Sequence, residues 1–318
     1  MQKYIIRRLL QVPVLLLGIT AVTFFMINLA PGDPISAMID PQDVMTLSHA
    51  EYEAMLAELG LNQPLGIRYI LWIKELMLGN WGYSYQGQNL SVASMILQRL
   101  PATLFLTVLA IVVGVSFGIV SVLRQYTLLD NILTVVTFFG ISVPGFFFAL
   151  LGMYFFAARL NWLPVFGMWT PGGATTLNLD LLRHAILPVS SLAILHIAGY
   201  MRYARAATLD ALSSDYVTVA RAKGLPEGTV IRRHVFRNAL LPIVTIVGLE
   251  LPSLVGGAFI IESLFSWPGI GLLGYNAIVR RDYPLQMGVA LILAITVLIA
   301  NLLTDIVYTY VDPRIRYE

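Results

Sequence analysis

At 318 residues, 58% hydrophobic and only 12% charged, the chain has too little polar surface to face water on every side. Soluble domains carry roughly 25% charged residues, so part of the solvent here is lipid, in keeping with a mean hydropathy of +0.77. Twenty basic against 18 acidic residues leave a net charge of +2, which argues against nucleic acid as a partner. The absence of cysteine excludes disulfides and thiolate metal sites, and the four histidines form no HExxH, so no metal site is predicted.

The first element is an uncharged apolar run at 9–30, preceded by Lys3, Arg7 and Arg8. It resembles a secretory leader in its basic start, but it is longer than the roughly 7–15 residues of a cleavable core and is read as a retained first span. Crossing a hydrocarbon core of about 30 Å takes about 20 helical residues. Further runs of that scale lie at 100–123, 131–158 and 283–304, with less clean ones at 184–201 and 238–262. Backbone polar groups in lipid must be satisfied within a helix or a closed barrel, and nothing alternates as barrel strands would. The predicted fold class is therefore an all-α integral membrane protein of six transmembrane helices.

Between the first two spans, 31–99 opens with the turn-forming Pro31-Gly-Asp-Pro34 and contains two helical stretches. One covers 50–59 and ends at Gly60. The other, around 68–78, places Tyr69, Trp72, Ile73 and Leu76 on one apolar face. Two readings stand for this region: a cap on the bundle that touches an external partner, or a structural lid. Pro13, Pro144, Pro188, Pro242 and Pro252 fall inside spans, where each removes an intrahelical hydrogen bond. Gly140, Gly145, Gly256 and Gly257 add small surfaces that let helices approach. With the N-terminus inside, thirteen of the basic residues fall on the inner side and seven on the outer, which predicts both termini cytoplasmic.

The inner stretch 207–239 is the most informative. Ser213 or Ser214 can cap a helix whose first turn holds Asp215 and whose last holds Arg221 and Lys223, with Gly224 suited to a left-handed stop. Pro226 then opens a second short helix as its first residue, beside Glu227. A rigid helix–turn–helix of this kind can transmit force into the spans. Its rival is a basic helix on anionic headgroups, using Arg232, Arg233, His234 and Arg237. Burial of Tyr216, Val219, Ala220 and Leu225 against another protein would separate the two.

Glu250 is the acid set well inside a predicted span. Three readings are open: a pathway or gate residue together with Pro252, Gly256 and Gly257, a structural pair with His196, Arg202 or a sister subunit, or a misplaced span boundary. His196 is read as a satisfied polar residue rather than a ligand.

The same residues resemble the permease subunits of binding-protein-dependent ABC importers, in the dipeptide/oligopeptide (peptide/nickel-type) branch. The resemblance rests on YIIRRLL followed by Pro31–Pro34, on LGLNQPL at 59–65 and LGNWGYS at 78–84, on Asp215-Tyr216 with Ala220-Arg-Ala-Lys-Gly224, on RHVFRNALLP at 233–242, and on FSWPGIG at 265–271 with RDYP at 281–284. It covers essentially the whole chain. Thr218 and Val219 stand where the wider superfamily has an acid and an alanine, and Arg237 where it has a proline, which here comes at Pro242.

The resemblance implies a type I importer bundle: a cytoplasmic N-terminus and first span at 1–30, an extracytoplasmic subdomain at 31–99, and a five-helix core at 100–318. It implies that Tyr216, Ala220, Arg221, Ala222, Lys223, Gly224, Arg233, His234, Arg237 and Asn238 form the loop that engages the ATPases. It further implies a second homologous permease, two cytosolic ATPases, an extracytoplasmic solute-binding protein and surrounding lipid. Dipeptides and oligopeptides are the implied cargo, with glutathione and nickel chelates as alternatives in the same architecture. The chain has no GxxxxGK[ST] phosphate cradle, so it is expected to bind no cofactor and to be no enzyme, with ATP and Mg on the partner subunits. An ion-coupled secondary transporter and a non-transporting scaffold are the competing classes. The first would need repeat symmetry or several intramembrane ionisable groups, and the second leaves the inner loop unexplained.

Overall fold

The computed structural model describes residues 2–31, 35, 48–85, 90–124, 127–173, 175–236, 238–239, 247–248 and 258–311. Among these residues the chain is helical, without a strand. Three helices are long and apolar enough to cross a membrane unbroken: α1 (Gln2–Leu29), α4 (Val92–Leu123) and α11 (Tyr283–Val311). Two bent pairs of helices pass the same test only when each pair is taken together. α5 (Leu128–Ser142) stops at Val143, and Pro144, which has no N–H to give, leads into α6 (Gly145–Gly152) and a π-helical run Met153–Arg159. α7 (Leu179–Leu212) contains Pro188 and is bent between Ile194 and Gly199. Most of the predicted span at 238–262 lies outside the described residues.

The remaining helices are shorter. α2 (His49–Glu58) and α3 (Leu65–Met77) occupy the predicted 31–99 region, α8 (Asp215–Ala222) and α9 (Glu227–Thr229) the inner loop, and α10 (Ile270–Val279) precedes the last span. α2 starts at a capping box: the Ser48 hydroxyl accepts from the Glu51 amide, and the Glu51 carboxylate accepts from the Ser48 amide at 2.9 Å. Gly60, at φ +65, stops it as expected.

The helices outrun the apolar segments that announced them. α4 begins at Val92, ahead of the uncharged run, because Val92 and Ile96 are themselves buried. α7 begins at Leu179, where the Asn178 side chain accepts from the Leu181 amide at 2.9 Å.

Two compact units are present. One comprises Ala102–Pro268 with Val297–Glu318. Its core gathers Leu106, Ala149, Leu192, Ile261, Phe265 and Trp267. Close helix approach depends on glycine: a Cβ on Gly140 would stand 2.6 Å from Ile194 Cγ1, and one on Gly114 would stand 2.9 Å from the Tyr200 ring. The other unit comprises Gln2–Pro101 with Gly269–Thr296, and its core joins Val92, Ile96, Ile270, Leu273, Leu285 and Val289. There Asp282 caps α11, accepting from the Leu285 amide at 3.2 Å, and takes a very short hydrogen bond from the Ser84 hydroxyl.

Candidate functional site

The inner loop begins where α7 ends. Ser214 occupies the N-cap position of α8 with extended backbone, but its hydroxyl turns back to the Asp210 carbonyl at 2.9 Å instead of capping. Two turns of helix follow. Gly224 takes φ +75, its amide donates to the Arg221 carbonyl at 2.9 Å, and the Leu225 amide donates to the Ala220 carbonyl at 3.4 Å. That pair of bonds is a Schellman stop, which requires the left-handed conformation glycine adopts without strain.

Pro226 sits one place earlier than expected. It is the N-cap of α9, with ψ 140, and Glu227 is the first helical residue. The Arg221 guanidinium grips Glu227 in a two-pronged bond, Nη2 to Oε1 at 2.6 Å and Nε to Oε2 at 3.2 Å. The bond holds the Glu227 carboxyl below its ordinary value and raises the guanidinium. α9 lasts a single turn, and Val230–Val235 continues it as π-helix.

Inside this turn, Val217 and Ala220 of α8 pack with Ala211, Val230 and Val235. The loop thus has a small apolar core of its own, and Ala220 belongs to it rather than to an outer face. Tyr216, Val219 and Leu225, by contrast, are 40%, 52% and 37% exposed. Ala222, Lys223 and Gly224 are exposed beside them. Arg232 and Arg233 face an open recess with Pro226, Gly228 and Thr229, and His234 is half-buried, its carbonyl accepting from Asn238 Nδ2 at 2.9 Å. The structure therefore brings together every predicted loop residue except Arg237, which lies outside the described residues.

The pathway candidates Glu250, Pro252, Gly256 and Gly257 also lie outside the described residues. His196 stacks on Tyr200, with ring centroids 6.3 Å apart. Two buried acids that sequence reasoning misses take structural positions. Glu262, legible in the sequence only as a span boundary, is fully buried and accepts from the Thr103 hydroxyl at 2.7 Å. Beside it the Trp267 indole donates to the Ala102 carbonyl at 3.1 Å and stacks on Phe105. Asp130, in the first turn of α5, is 3% exposed and accepts from Ser121 Oγ at 2.5 Å and from Arg205 Nη2 at 2.6 Å on both oxygens. Arg205 lies two turns before the end of α7, the helix that carries α8. One signal for it exists in the sequence: Thr127, Asp130 and the short 124–130 connection read as a helix start with an acid in its first turn.

Comparison with known proteins gives a consistent result. Residues 108–317 match the family described as binding-protein-dependent transport system inner membrane component, and residues 1–107 match its N-terminal companion. The chain is 46% identical to a putative peptide permease protein of Brucella suis biovar 1 (strain 1330), over 99% of each chain. It is 40% identical to the oligopeptide transport system permease protein of Bacillus subtilis (strain 168), over the full length of both. Among solved structures, an inward-facing MetNI methionine ABC transporter aligns with a TM-score of 0.53 at 16% identity, over 69% of this chain and 97% of that one. At that identity the likeness concerns the fold.

Proposed function

This chain belongs to the family of binding-protein-dependent transport system inner membrane components, and on that premise we propose that it is a permease subunit of an ATP-driven importer of dipeptides and oligopeptides. The cargo follows the names of its relatives, which include peptide, oligopeptide and dipeptide permeases. A second permease completes the translocation pathway, two cytosolic ATPases bind ATP and Mg, and an extracytoplasmic solute-binding protein delivers the peptide. Both termini and the 207–239 loop are cytoplasmic, in keeping with the basic-residue bias. Glu250, Pro252, Gly256 and Gly257 contribute to the pathway or its gate.

Coupling runs through α8. Tyr216, Val219 and Leu225 are apolar, yet they point away from the loop's own core. Apolar groups held outward on a closed, braced turn suit a groove on another protein better than a headgroup layer, which would be met by the arginines. When the ATPases close on nucleotide, a push on α8 cannot be absorbed locally. The Schellman stop and the Arg221–Glu227 brace make the turn stiff, and Val217 and Ala220 pass the load to Ala211 in the last turns of α7. The breaks at Val143–Pro144 and within α7 give the spans places to bend.

The test is ATPase activity of the complete assembly in lipid, with and without peptide-loaded binding protein. Wild type is expected to be stimulated by the loaded binding protein. Val219→Glu, which places a charge on the outward face without entering the loop core, is expected to assemble and insert but to lose that stimulation. A fully coupled Val219→Glu assembly would overturn the docking role of α8.

A further inference from the structure

α3 has two apolar faces, and the second is exposed among the described residues. The first face rests on α1. The Tyr69 hydroxyl donates to the Leu17 carbonyl at 3.0 Å and lies 3.1 Å from Thr20 Oγ1, while its ring packs between Phe24 and Phe25. Arg68 Nη2 donates to Asn28 Oδ1 at 2.6 Å, and its guanidinium lies over the Phe24 ring. On the far side, Ile67, Ile70, Leu71, Met77 and Leu78 are 49%, 67%, 45%, 83% and 73% exposed.

Depth identifies what covers this second face. α1 is long and apolar enough to cross a membrane over Leu10–Leu29, and the family is one of inner membrane components. Leu17 precedes Leu29 by twelve residues, about 18 Å at the helical rise, within a hydrocarbon core of about 30 Å. A tyrosine reaches roughly 6–7 Å from its Cα at ordinary bond lengths. The backbone of α3 at Tyr69 therefore lies well below the end of the span, at a level where α1 itself exposes Val22 and Met26 to their surroundings. A helix at that depth borders acyl chains, not water.

The edges of α3 agree. At about 100° per residue, Arg68 and Glu75 fall on one edge and Ile70 and Met77 nearly opposite. The Arg68 edge is the one tied to Asn28, at the span's end, and the Ile70 edge is the one on the mid-span side. Lys74 lies on the far face among apolar neighbours, where its stem can run along the chains while the ammonium reaches the headgroups.

We propose that α3 is a lipid-immersed helix packed across α1, in the leaflet where α1 ends, with Ile70 and Met77 among the acyl chains and Glu75 at the aqueous boundary. On the orientation given above that leaflet is the outer one; the immersion itself does not depend on the importer reading. The occupant of the second face is lipid acyl chain rather than the sister permease or the binding protein.

The chain has no cysteine, so Ile70→Cys, Met77→Cys and Glu75→Cys can each be spin-labelled uniquely in the complete assembly, with cysteine-free partners, in lipid nanodiscs. Collision with molecular oxygen reports lipid, and collision with a water-soluble nickel chelate reports water. The oxygen-to-nickel ratio is expected to be several-fold higher at positions 70 and 77 than at 75. High nickel collision at 70 or 77 would place the face in water and overturn the proposal. Low collision with both reagents would mean that protein covers it, and would overturn it equally. Each labelled assembly is first checked for wild-type ATPase activity, so failure of the importer reading is registered separately from failure of immersion.

Discussion

The inner loop and the Ser84–Asp282 region are both well braced, but by opposite means. Around α8 the braces are local: Gly224 bonds to Arg221, Arg221 grips Glu227 six residues on, and Val217 meets Val230 and Val235. In the other region the partners are remote. Ser84 and Asp282 are separated by 198 positions, and the core beneath them joins the start of α4 to α10 and α11. A local brace forms as soon as its own turn forms, whereas a remote one reports that the whole unit has closed. The loop is thus suited to move as a small rigid body, and the Ser84–Asp282 region to keep distant segments in place.

That contrast can be broken by substitution. The largest expected effect is at another remote brace, Asp130→Ala. It leaves the Ser121 hydroxyl and Arg205 without their shared acceptor. Breaking a fully buried pair costs about 3–5 kcal/mol; with the Arg205 side chain 34% exposed, about 2–3 kcal/mol is expected. It should appear as a lowered thermal midpoint of the reconstituted assembly. Asp282→Ala removes a helix cap and the buried acceptor of the Ser84 hydroxyl, about 2 kcal/mol together, read in the same measurement. Gly224→Ala keeps the space, since nothing lies within 4 Å of an added Cβ, but imposes φ +75 on a residue that resists it. About 1 kcal/mol is expected, seen as weakened coupling of ATPase to binding protein with the midpoint nearly unchanged.

The smallest effect is acid release of the Arg221–Glu227 brace. The folded Glu227 carboxyl lies below its ordinary value of 4.5, chiefly through the Arg221 hydrogen bond. The brace is therefore fully present above that value and is lost as pH falls through the lowered one. The midpoint difference between wild type and Glu227→Gln should be small and constant near neutrality, because the pair is exposed. It should shrink toward zero below pH 4.5. A difference that instead grew on acidification would contradict the brace.

Legibility in the sequence follows the same division. The Gly224 stop, the acid at the start of α8 and the apolar face of α3 are readable because each depends on residues a few places apart. The span at 100–123 is readable from apolar length, but its true start at Val92 is not, because that start depends on packing against Ile270 and Val289 in distant helices. The position of Pro226 is ambiguous by one residue for a subtler reason: its ring suits either the last extended position or the first helical one, and here it takes the former. Glu262 and Asp130 escape notice because an acid near a span end reads as a boundary until its partner, Thr103 or Arg205, is known. The depth of α3 is hidden in the same way, since nothing in residues 65–77 announces that Tyr69 reaches Leu17.

The π-helical run Val230–Val235 that closes the inner loop also bears on how such a chain tolerates changes in length. A π turn holds more residues than an α turn over the same path, so the run behaves as an α-helix with material to spare. Deleting a residue elsewhere in a helix rotates everything downstream by about 100° and turns its faces away from their partners. Deleting one within 230–235 can instead be taken up by conversion to α-helix, leaving Asn238 and the span beyond it on their original faces. The tail of this loop is therefore one place where a one-residue difference between related permeases should do little harm.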